Sequence, residues 1–112
     1  MSVIIVHMTE DILQLEIESI KKQLIEKYKA EKIILFGSAA EDRFTPDSDI
    51  DFFIIKRNEK GFHERLVDVY RLIKKNVAAD FIVYTPQELE ERIALGDPFI
   101  KSILTEGKVL YG

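Results

Sequence analysis

Two aspartates stand one residue apart at the head of an apolar run, Asp49-Ile50-Asp51-Phe52-Phe53-Ile54-Ile55. In an extended chain alternate side chains share a face, so the spacing predicts two carboxylates projecting together from a strand at Ile50–Ile55. Adjacent like charges raise each other's pKa unless a cation sits between them. An apolar strand is a costly place for such a pair. A hard divalent cation resolves the conflict, and Mg²⁺ characteristically takes one or two carboxylates together with substrate phosphates.

The segment before this pair supplies a second element of a phosphate site. Lys32–Phe36 reads as a short buried strand, and Gly37-Ser38 follows it directly. Glycine lets a phosphate approach the backbone closely, and Ser38 adds a hydroxyl and an N–H. A helical turn over 39–42 would add further N–H groups. The loop Thr45–Ser48 carries Pro46 and turn formers that return the second strand beside the first. Asp80, early in a third strand at Ala79–Tyr84, is a candidate third carboxylate, completing a metal site or serving as base toward a hydroxyl. Together these residues point to attack on a nucleoside triphosphate, where positioning and charge neutralisation carry most of the catalysis.

Around these strands the periodicity predicts helices over about residues 10–29, 62–77 and 86–95, a shorter one from Pro98 to Leu104, and a last strand at Lys108–Tyr111. Thr9 is the expected N-cap of the first helix. Thr85-Pro86-Gln87-Glu88 is a capping box with proline at the first helical position. The order predicts one domain over residues 1–112, an α/β (α+β) layer fold with a small mixed β-sheet and helices mainly on one side. Val3–Val6 reads as an extra strand or ordered arm, pairing with a second copy in a homo-oligomer being the alternative. A net charge of −4 argues against nucleic acid as partner. The absence of cysteine removes disulfides, zinc–thiolate sites and thiol catalysis, and fits a cytoplasmic location. No membrane span or signal peptide is read, and neither His7 nor His63 has a catalytic partner in the sequence.

Gly37-Ser38, ten intervening residues and Asp49-Ile50-Asp51 resemble the signature of the DNA polymerase beta-like nucleotidyltransferase superfamily. The short chain is similar to its minimal nucleotidyltransferases, small prokaryotic proteins often encoded beside a HEPN-family partner and acting as antitoxins. The resemblance spans about residues 10–111, including Ser48, Asp80 and the tail Gly-Lys-Val-Leu-Tyr. It implies a polymerase beta-like palm fold. It implies ATP held by Gly37 and Ser38, with Ser48 and Arg43 nearby, and two Mg²⁺ on Asp49, Asp51 and the third carboxylate Asp80. The implied reaction transfers a nucleoside monophosphate, AMP, to a hydroxyl with release of pyrophosphate, in some members a tyrosine of the HEPN toxin. Glu41 and Asp42 stand where members often carry Arg and Gly, with Arg43 close by. Two acids beside a triphosphate would repel it, so the alternative is an inactive module of the same fold that neutralises its partner by contact.

Overall fold

The computed structural model describes residues 10–41 and 49–112. Thr9, Val3–Val6, His7, Asp42, Arg43 and Thr45–Ser48 lie outside them. The apolar run Phe52-Phe53-Ile54-Ile55 of β2 (Ile50–Ile55) sets the architecture, since four successive apolar residues point to both faces of the strand and both must be covered. It is the inner partner of both β1 (Lys32–Phe36), to which it runs antiparallel, and β3 (Ala79–Tyr84), to which it runs parallel. β4 (Lys108–Tyr111) adds antiparallel to β1, giving the order β3-β2-β1-β4. This is the expected mixed sheet.

The two faces have separate cores. Ile33, Leu35, Phe52, Ile54, Phe81 and Val83 pack against α1 (Glu10–Glu26) and α2 (Phe62–Leu72). Ile34, Phe53 and Ile55 pack against Ile100 and Ile103 of α4 (Pro98–Glu106), with Leu89 of α3 (Pro86–Ala94) at the margin. The helices therefore cover both faces, correcting the expectation of one main side.

Two helix ends also differ from the periodicity. α1 ends at Glu26, not near residue 29, because Lys29 takes a left-handed backbone (φ 63°) and the Tyr28 and Ala30 N–H groups turn back to the Gln23 and Leu24 carbonyls. α2 stops at Leu72, where Ile73 becomes extended. The Gln23 side-chain amide on α1 bonds both the N–H (2.7 Å) and the C=O (2.8 Å) of Lys74. Ile73 and Val77 remain packed on the core, so the apolar spacing persists past the helix that it suggested. The capping box at Thr85 forms as expected, with Thr85 Oγ1 accepting from Glu88 N–H (3.1 Å) and Glu88 Oε1 from Thr85 N–H (2.8 Å). α4 runs two residues beyond its expected end. Asp97 caps its start, accepting from the Phe99 N–H at 2.9 Å. No helix among the described residues is long and apolar enough to cross a membrane.

Candidate active site

Strand register builds the site. Phe36 lies opposite Asp51 across the β1/β2 ladder, and Asp51 opposite Asp80 across β2/β3. Opposed residues on neighbouring strands share a face, so Asp51 and Asp80 form a lateral pair where β1 ends and β2 and β3 begin. Asp49 stands just before β2, one step outside the strand, while the intervening Ile50 is fully buried on the other face. Its carboxylate is a charged neighbour of both Asp80 and Asp51. The three aspartates that the sequence singled out are thus brought together.

Their electrostatics follow from that crowding. Burial, then the charges of Asp80 and Asp49, push Asp51 up to about 6. Asp80 is also raised, by burial and by the neighbouring Asp49 carboxylate, partly offset by Tyr70 and Lys75. Asp51 and Asp80 are thus harder to ionise than isolated carboxylates, as crowding of like charges and burial dictate. Among the described residues no three acidic, imidazole or thiol groups stand close enough together to hold a metal ion without rearrangement.

Gly37 makes this packing possible. Its φ is +73°, in the left-handed region, and a Cβ there would stand 2.3 Å from Asp51 Oδ2. The backbone of the Gly37–Ala39 3₁₀ turn is therefore pressed against the Asp51 carboxylate, with Ser38 as the next residue. Gly37→Ala is expected to cost about 2 kcal/mol, from left-handed strain and displacement of Asp51, read by urea denaturation. A loss below about 0.5 kcal/mol would mean that Asp51 moves aside freely.

Tyr70 and Lys75 went unmarked as site residues in the sequence. Tyr70 sits on a helix and shares the apolar periodicity of its neighbours, yet its hydroxyl accepts the Phe81 N–H (3.2 Å) and reaches Asp80 Oδ1 at 3.4 Å. Its ring packs edge-on against Phe81 with centroids 5.1 Å apart. Only the β2–α2–β3 connection places it there, so no local spacing could have revealed it. Tyr70→Phe keeps the ring and leaves a strand N–H without its acceptor. It is expected to lower stability by about 1 kcal/mol and to shift the pH dependence of catalysis through Asp80. An unchanged pH profile would limit the hydroxyl to a structural role.

A hollow of about 130 Å³ beside Gly37 is lined by Glu41 and Glu106 along with Phe36 and Phe99, so Glu41 does lie near the glycine turn. His63 is exposed on α2, as expected.

Residues 17–111 match the model of the nucleotidyltransferase domain family. A Methanocaldococcus jannaschii protein provisionally named a protein adenylyltransferase is 34% identical over 89 residues, spanning 76% of this chain and 84% of that protein. A solved structure of a provisionally named nucleotidyltransferase from Sulfolobus solfataricus superposes with a TM-score of 0.52 at 26% identity, covering 70% of this chain and 78% of the other.

Proposed function

Because this chain belongs to the nucleotidyltransferase domain family and is a nucleotidyltransferase, we propose that it transfers AMP from ATP to a hydroxyl of a protein acceptor at the Asp49–Asp51–Asp80 centre. The observation that carries this is the lateral pairing of Asp51 with Asp80 directly against the glycine turn. The name of the 34% identical relative supports the adenylyl group and the protein acceptor.

In this reading Gly37 and Ser38, with Ser48 and Arg43, hold the triphosphate, and the acceptor hydroxyl approaches beside Asp80. The acceptor oxygen bonds to the α-phosphorus as the bond to the bridging oxygen of the β-phosphate breaks. Pyrophosphate leaves, and the hydroxyl proton passes to a neighbouring aspartate and then to solvent. Asp49, Asp51 and Asp80 would hold Mg²⁺, two ions in all, which when bound neutralises the charge developing on the phosphates. Until then burial and the neighbouring carboxylates raise the pKa of Asp51 and Asp80. The acceptor in this proposal is a tyrosine of a HEPN-family helical partner, the enzyme acting as its antitoxin. That part rests on the sequence resemblance.

Glu41, beside Glu106 at the hollow next to Gly37, favours a second reading in which the fold neutralises a partner by contact alone. Incubation with α-labelled ATP, Mg²⁺ and the partner separates the two. Transfer reads as label on the partner that is absent with the Asp49→Asn/Asp51→Asn variant. If that variant still neutralises the partner in cells and the wild type transfers no label, the contact reading replaces the enzymatic one.

A further inference from the structure

At the opposite end of β2 the surface changes sign. Asp51 and Lys56 are separated by five residues, roughly 16 Å of strand, and beyond Lys56 opens a basin of about 810 Å³. That volume is in the range of small-ligand sites. Lys27, Lys56, Arg57, Lys60 and Arg71 line it against only two carboxylates, Glu59 and Asp68. In a chain of net charge −4 this is a concentration of positive charge without counterpart in the acidic centre.

Some of this charge is already matched. Lys60 pairs with Asp68 at 2.7 Å, and Arg57 meets Glu31 at 3.8 Å. Lys56 donates to the Tyr28 carbonyl and lies over the Tyr28 ring, 4.2 Å from its centroid. Lys27 and Arg71 make no ion pair among the described residues.

A second observation is independent of charge. Tyr28 lines the basin, is 3% exposed, and carries the one buried side-chain polar atom without a hydrogen-bond partner among the described residues, its hydroxyl. Asn58 stands near the phenol, but no hydrogen bond of ordinary length and angle joins them. Buried polar groups rarely go unmatched, and an orphan commonly marks a missing ligand or water. Burial, foremost, raises the Tyr28 pKa, so the phenol stays protonated and leaves the basin's positive charge undiminished.

The geometry points to a phosphate-bearing small ligand in this basin, held by Lys27 and Arg71, at a site distinct from the acidic centre. A concave pocket in an acidic chain suits a compact di- or polyanion better than a nucleic-acid backbone, which would call for an extended basic stripe. The inference does not depend on nucleotidyl transfer.

Calorimetric titration of the full chain with inorganic pyrophosphate in EDTA tests it, because without metal the aspartate centre repels anions. Saturable binding is expected, unchanged in Asp51→Asn and weakened at least tenfold in Lys27→Ala/Arg71→Ala. Both substituted cations are exposed, so the double variant keeps its fold. Parallel titrations with AMP and inorganic phosphate distinguish the source: tighter binding of AMP identifies a nucleotide site, equal affinity a site for the phosphate alone. Absence of saturation at millimolar pyrophosphate, or equal affinity in the double variant, would overturn the proposal. So would a single-stranded oligouridylate that binds through the same two cations more tightly than pyrophosphate.

Discussion

Replacing Asp51 with Asn is expected to stabilise the metal-free protein by on the order of 2 kcal/mol at pH 8 while lowering nucleotidyl transfer about a thousandfold or more. The two effects have one origin. In the folded chain burial, Asp80 and Asp49 push the Asp51 carboxyl from 3.8 up to about 6. Between these values the native state binds a proton that the unfolded chain has released, so stability falls as pH rises through this window. Above pH 6 the full penalty is present, and below about pH 4 it is gone. Partial solvent access reduces the magnitude, which is why the figure stands below the full shift. Asparagine keeps the shape and removes the charge, so its advantage should be largest above pH 6 and shrink toward pH 4. Urea denaturation in EDTA across pH 4–8 measures it. A variant less stable than wild type at pH 8 would show that Asp51 makes favourable contacts that outweigh its repulsion.

The largest loss of stability is expected at Arg65, on the α2 face that reaches β3 and α3. Its guanidinium is buried and each of its three nitrogens is engaged. Nε donates to the Lys60 carbonyl (2.8 Å), Nη1 to the Val83 carbonyl (3.1 Å) and to Glu88 Oε1 (2.6 Å), and Nη2 to Glu88 Oε2 (3.1 Å). Glu88 in turn closes the capping box of α3, so one forked pair ties α2 and β3 to the start of α3. Arg65→Ala is expected to cost about 3 kcal/mol, the low end for a broken buried pair, since Glu88 is 38% exposed and can rehydrate. That corresponds to a melting point lower by roughly 12 °C at about 4 °C per kcal/mol. Arg65→Lys should recover only part of the loss, because an ammonium cannot form the two-point contact. Burial opposes ionisation of Glu88, but hydrogen bonds from Arg65 and Thr85 outweigh it and lower its pKa. The contribution of this pair is therefore present above about pH 4.5 and lost as pH falls through the lowered folded value. Arg65→Ala should lose that acid-side decline, and a variant with undiminished melting temperature would show that the fork adds nothing net.

What could be read in advance depended on how local its cause was. The start of α3 was legible because Thr85, Pro86 and Glu88 lie within four residues and act on one another. The strands were legible from apolar runs bounded by glycine and turn formers, and Asp49 and Asp51 stood out because they interrupt such a run. The apolar run of β2 already required cover on both faces, yet the one-sided expectation passed over that signal. The early ends of α1 and α2 were hidden because Gln23 captures Lys74 from 51 residues away while Ile73 keeps its place in the core. Arg65 and Tyr70 were hidden for the same reason. A buried arginine and a tyrosine over a carboxylate are products of how α2 crosses β3, and nothing in the spacing of α2 itself distinguishes them.

Calorimetric titration of the chain in a Lys27→Ala/Arg71→Ala background, which removes the basic basin, with a non-hydrolysable ATP analogue, with and without Mg²⁺, tests the central claim most directly. Binding that requires Mg²⁺ and disappears in the Asp49→Asn/Asp51→Asn variant is the predicted result. Equal binding without Mg²⁺, or undiminished binding by the variant, would contradict the assignment of these aspartates to a metal–nucleotide centre.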